Sequence, residues 1–175
     1  LKNEYAPAIE LLNRYIATPG AEKKYDALAR LLELHIGASD IRNAEKTAQI
    51  IQSGYARQEG VEKLLYSFAL ALGQKGGNPA RYLQFVVNTH PKSESAGRIV
   101  FTWATESFEA GDYSRAEQFY RQYLVVPARE RAQDALLGRV YSLFRLNRFR
   151  EIISIAGDGA GPELDENASI KFSLY

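Results

Sequence analysis

The sequence predicts an all-α fold, a superhelical solenoid of antiparallel helix hairpins, and three observations carry that expectation. A small residue recurs every 36 positions, as Ala8, Ala44, Ala80 and Ala116. Apolar columns keep the same lag through Leu28, Leu64, Val100, Leu136 and Phe172, through Leu32, Phe68, Ala104 and Val140, and through Ile36, Leu72, Phe108 and Phe144. Within a repeat these columns stand four residues apart, which is one face of a helix; a strand would alternate every second residue. Turn formers and prolines then punctuate each period, so that every repeat reads as helix, turn, helix.

In chain order, residues 1–19 read as a partial repeat that ends at Pro19, eleven residues after Ala8. Pro91 and Pro127 stand at the same distance after Ala80 and Ala116, where a ring without an N–H stops a helix. The first full hairpin, roughly 20–55, pairs helices at 20–36 and 40–54 around Gly37-Ala38-Ser39-Asp40. The second, roughly 56–91, pairs 58–73 with 79–90 across the glycine-rich stretch from Gly73 to Pro79. The third, 95–127, pairs 95–110 with 113–125 around Gly111-Asp112, and the fourth, 130–156, pairs 130–146 with 148–156 around Asn147. A last partial repeat occupies 162–175, starting near Pro162. The alanine column explains itself as the place where two helix backbones approach closely, with larger neighbours filling the remaining space.

All 175 residues read as one domain, and that length buries a core without staples. The chain has no Met and opens inside a helical pattern, so it is expected to be a piece of a longer protein. With 22 Lys and Arg against 21 Asp and Glu the net charge is +1, which gives no global field toward nucleic acid or an anionic membrane. Cysteine is absent, which removes disulfides and thiolate chemistry but leaves the compartment open between cytoplasm and bacterial periplasm. No apolar run approaches the roughly 20 residues of a spanning helix, so a soluble protein without membrane insertion is expected.

Residues with chemical potential are few. His35 and His90 are 55 positions apart, neither has a second His one helical turn away, and both read as helix-end or interface residues. Glu106 and Glu109 read as solvated. Gly157-Asp158-Gly159-Ala160-Gly161 is glycine-rich but lacks the Lys and Ser or Thr of a phosphate loop, so it reads as a connector. Asp158, Glu163, Asp165 and Glu166 lack the spacing of a calcium loop, and Asn167-Ala168-Ser169 is a glycosylation triplet that matters only in a secretory pathway. No cofactor, metal site or catalytic residue is predicted. One surface stands out: Arg139, Arg145, Arg148 and Arg150 alternate with Tyr141, Phe144 and Phe149, with no acid between Ala135 and Arg150. Such a patch suits an acidic polymer or peptide. The competing reading is a helix end whose arginines pair with nearby acids such as Glu151 or Asp165.

The stretch from Glu109 to Pro127 resembles the second half of a tetratricopeptide repeat, with Gly111 in the turn, then Tyr113, Ala116, Tyr120 and Pro127 at that family's spacing. Weaker copies are Asn3, Tyr5, Ala8, Leu12 and Pro19, and Asn147, Phe149 and Ile152. The family repeats every 34 residues against 36 here, and the copies around Ala44 and Ala80 carry Ile41 and Gly77 at the turn aromatic. Other helix-hairpin solenoids, such as Sel1-like repeats, share the architecture and stay open. The resemblance implies a right-handed superhelix whose concave groove, lined by first helices, takes a peptide or partner protein. Its groove positions correspond here to Asp26, Ala29, Glu33 and Ile36, and to Glu62, Leu65, Ala69 and Leu72. In the next two repeats they are Arg98, Phe101, Thr105 and Phe108, then Asp134, Leu137, Tyr141 and Phe144. The Lys and Asn with which one subset of the family grips a carboxylate are replaced by Ala29, Leu65, Glu33 and Ala69, which argues against that clamp. The expected function is therefore a non-enzymatic protein-interaction scaffold with apolar anchors. The alternatives are an accessory arm of a larger enzyme such as a cell-wall transglycosylase, and a binder of acidic polymers through the arginines. Nucleic acid is the disfavoured partner, and self-association through open repeat ends is compatible with the pattern.

Overall fold

The structure, a computed structural model, describes residues 2–127 and 130–157, and among these it contains nine helices and no strand. They are α1 (Lys2–Ala17), α2 (Lys24–Gly37), α3 (Ile41–Gly54), α4 (Val61–Gln74), α5 (Ala80–Thr89), α6 (Glu94–Glu109), α7 (Tyr113–Tyr123), α8 (Ala132–Arg145) and α9 (Phe149–Gly157). The predicted partial repeat at 162–175, the connector from Asp158 to Gly161, Asp165 and the Asn167 triplet lie outside the described residues. No described helix is long and apolar enough to cross a membrane.

The turn inside each hairpin is one device used four times. A residue with left-handed backbone follows the first helix: Ser39 (φ 56°), Gly76 (φ 77°), Gly111 (φ 76°) and Asn147 (φ 58°). In each case the next N–H reaches back five residues to a helix carbonyl, as Asp40 to His35 (2.8 Å), Gly77 to Leu72 (2.9 Å), Asp112 to Ser107 (2.9 Å) and Arg148 to Leu143 (2.9 Å). These bonds satisfy carbonyls the helix end would leave orphaned. Asp40 and Asp112 then start α3 and α7, their carboxylates accepting from the N–H groups of Asn43 (3.3 Å) and Arg115 (3.1 Å). Two of the connections between hairpins, α1 to α2 and α7 to α8, share a second device. The Tyr15 hydroxyl accepts from the Lys23 N–H (3.3 Å) and the Tyr123 hydroxyl from the Arg131 N–H (3.1 Å), eight residues on in both cases.

The second hairpin departs from the period. Its turn runs on through Gly77, Asn78 and Pro79, so α5 starts at Ala80, three residues later than the lag from α3 would place it. Ala80 is consequently exposed, and Tyr82, Val86 and Val87 make the buried face instead. Ala8 on α1 is exposed too. The small column thus fulfils its predicted packing role at Ala44 and Ala116, both fully buried, and not at the other two copies. Several starts also fall inside the predicted bounds. Gly20 and Gly60 take positive φ, which delays α2 to Lys24 and α4 to Val61.

The chain divides into two compact units between Ala96 and Gly97, in the first turn of α6. In the N-terminal unit each helix packs on its successor from α1 to α5, and α2 also touches α4. Its core is aliphatic: Leu28, Leu31, Leu32, Ile51, Val61, Leu65 and Leu72, joined by Phe68. Each such side chain contributes about 1.5 to 3 kcal/mol on burial. In the C-terminal unit α7 packs on α8 and α8 on α9. Aromatic rings bind α6 to α7, with Phe101 5.0 Å from Tyr123 and Trp103 5.5 Å from Phe119.

Candidate binding surface

Rings dominate the C-terminal unit because α6 carries Phe101, Trp103 and Phe108, α7 carries Tyr113, Phe119, Tyr120 and Tyr123, and α8 carries Tyr141 and Phe144. Phe101 is buried between Tyr120 and Tyr123, and the Arg131 guanidinium lies 4.0 Å over its face. Phe108 is half-buried, edge-on to Tyr113 (5.5 Å) and tilted against Tyr141 (5.4 Å). From Tyr141 the series continues through Phe144 (6.4 Å) to Phe149 (5.8 Å), and there it reaches the surface. Phe144 is 55% exposed and Phe149 48%.

The predicted groove residues therefore separate into two sets. Phe101, Leu65, Ala69 and Leu72 are buried and serve the interiors of their own units, so none of them offers a face to a partner. The resemblance assigned them to a groove because they share the helical spacing of its lining, and spacing alone does not tell which neighbour covers a side chain. Phe108, Thr105, Leu137 and Tyr141 are half-buried, and Arg98, Asp134 and Phe144 are exposed. Asp134 is held by Arg131 (3.0 Å), and the Thr105 hydroxyl donates to the Phe101 carbonyl (3.1 Å). Of the rings on α8 and α9, Tyr141 is half-buried and Phe144 and Phe149 are exposed.

Three of the four arginines of the predicted basic patch are engaged within the protein. Glu117 on α7 is only 1% exposed; it accepts from Arg139 Nε (2.9 Å) and lies 3.6 Å from Arg148 Nη1. Arg148 also donates to Glu151 (2.7 Å), and this hydrogen bond lowers the Glu151 pKa below the ordinary carboxylate value. Arg145 lies over the Tyr113 ring at 4.6 Å. Arg150 is exposed. The pairing with Glu151 matches the competing reading, and Glu117 is the residue that sequence reasoning missed. Glu117 stands three residues before buried Tyr120 and beside buried Ala116, on the face α7 turns inward, but its residue type alone reads as solvated.

Gly138 on α8 was equally silent in the sequence. A Cβ built there would come within 2.4 Å of Tyr120 Cζ, so the glycine is what admits the Tyr120 ring between α7 and α8. His90 caps α5 and its Nε2 lies 2.8 Å from the Ala56 carbonyl, which ties two loops 34 residues apart. His35 is buried at the end of α2, with Nδ1 3.7 Å from Asp40 Oδ2 and no hydrogen-bond partner. Burial lowers its pKa, and Asp40 opposes part of that shift. Among the described residues no three His, Asp or Glu side chains converge as metal ligands. Comparison with protein-family models and with curated proteins returned no match for this chain.

Proposed function

We propose that the chain is a non-enzymatic helical-repeat scaffold of the tetratricopeptide type, which holds a peptide or partner protein against stacked hairpins. The observation that carries this reading is the turn at Ser39, Gly111 and Asn147, which restarts the same helix pair every 36 or 72 residues. A hairpin of this kind cannot bury both its faces alone, so stacked copies leave an extended surface as their natural site of recognition. Tyr141, Phe144 and Phe149 supply anchors of the type that dominates interfaces, since an aromatic ring desolvates a large area with few rotors. Pairing of Arg139 and Arg148 with Glu117 and Glu151 weighs against the alternative of an acidic-polymer site, because a phosphate would have to displace carboxylates already in place.

The test is affinity purification from source cells with the parent chain beside a Tyr141→Ala, Phe144→Ala variant whose circular dichroism matches it. Loss of one dominant partner in the variant is expected. An identical set of partners would remove these rings from the binding surface, and the absence of any specific partner would overturn the scaffold reading.

A further inference from the structure

We propose that a groove between α1 and α3 docks an acidic amphipathic helix of a partner through an aromatic anchor. Both helices pack on α2, and between them lies an open groove of about 1270 Å³ within the N-terminal unit. Leu28, Leu31 and His35 of α2 form its floor, Ile9 and Ile16 of α1 one wall, and Thr47 and half-exposed Ile50 of α3 the other. Pockets for small ligands run to roughly 300 to 1,000 Å³. A helix about 10 Å across fills the observed volume in about three turns. The wall from Ala6 to Ala17 is about 18 Å long by the helical rise, which is the same length.

The next repeat shows what such a place accepts. There α5 supplies the chain's own Tyr82, fully buried and edge-on to Phe68 of α4 at 4.9 Å. One repeat earlier α3 presents Ala44, Thr47 and Ala48 on its buried face, and among the described residues no Phe, Tyr or Trp ring lines the groove. His35 lies in this floor at 6% exposure, its Nδ1 without a hydrogen bond and 3.7 Å from Asp40 Oδ2. Charge fixes the flanks of the occupant. Glu10 is paired with Arg14, and Asp40 accepts from Asn43, whereas Arg42 and Lys46 stand exposed one turn apart on the α3 rim. Acidic residues beside the anchor complement that rim.

The test pans a display library of amphipathic helices, with randomised apolar and flanking positions, against the full 175-residue chain. Enriched helices are expected to carry a Tyr, Phe or Trp anchor with Asp or Glu beside it. Their affinity should fall about tenfold in Arg42→Glu, Lys46→Glu and stay within about twofold in Tyr141→Ala, Phe144→Ala, which separates this groove from the surface proposed above. Failure to enrich any helix overturns the proposal, as do basic flanks or indifference to the charge reversal. Sedimentation equilibrium covers the other occupant: a dimer that the same reversal dissociates would make a second copy of the chain the ligand.

Discussion

Helices α3 and α7 hold the same place in repeats 72 residues apart and begin on the same aspartate cap, yet they fill their cores in opposite ways. The buried face of α3 is Ala44, Thr47, Ala48 and Ile51, and that of α7 is Ala116, Glu117, Tyr120 and Tyr123. Small side chains on α3 need no accommodation from α2 and leave open space toward α1. Large ones on α7 need Gly138 opposite Tyr120, and the buried carboxylate needs Arg139 and Arg148. Backbone geometry thus comes from turn and cap, while volume and charge are settled locally, hairpin by hairpin.

The largest expected effect tests the ionic half of this contrast. Glu117→Ala strands Arg139, whose side chain is 19% exposed, and should cost the C-terminal unit about 3 to 5 kcal/mol in urea unfolding. Trp103, the single tryptophan, lies in that unit and reports its unfolding by fluorescence. Adding Arg139→Met should recover most of the loss; a single variant within about 1 kcal/mol of the parent would show that the network contributes little. Gly138→Ala tests the steric half. Although alanine favours a helix by about 1 kcal/mol, the clash with Tyr120 should leave a net loss of about 2 to 3 kcal/mol by the same measurement. A gain in stability would mean the ring moves aside freely.

Smaller effects sharpen the comparison at the alanine column. Ala116→Leu should cost about 1 to 3 kcal/mol by overpacking, whereas Ala80→Leu, at an exposed helix start, should stay within about 0.5 kcal/mol. Equal melting temperatures for the two variants would remove Ala116 from the helix interface. The smallest effect belongs to His35. Its pKa is lowered from 6.5 in the folded chain, so protons favour the unfolded state, and stability should decline as pH falls below that value. His35→Gln should flatten the decline in a pH series of melting curves; an unchanged slope would assign it to other groups.

How much of this was legible depended on which physical constraint left a one-dimensional trace. Helices and turns were readable because apolar spacing and left-handed residues recur in the sequence itself, and all four hairpin turns fell where Asp40, Gly73 to Pro79, Gly111 and Asn147 placed them. The slip at Ala80 was not, since a turn longer by a few residues keeps the composition of a turn. Burial partners were the hardest. Phe101 and Phe144 were both expected on the groove face, yet Arg131 and two tyrosines cover the first and the second is 55% exposed. Glu117 and Gly138 look like ordinary surface and filler until α8 is laid beside α7.

The left-handed turn residue also bears on how much sequence freedom a repeated hairpin keeps. A core position tolerates many side chains of matching volume and so loses resemblance between copies quickly. A backbone at positive φ accepts glycine, asparagine and few others, and the next N–H must still reach back five residues. The constraint thus holds a backbone shape and not a residue type, for Ser39, Gly76, Gly111 and Asn147 all satisfy it. A search for further copies of the hairpin would therefore score the backbone shape of these four turns and leave their residue type free.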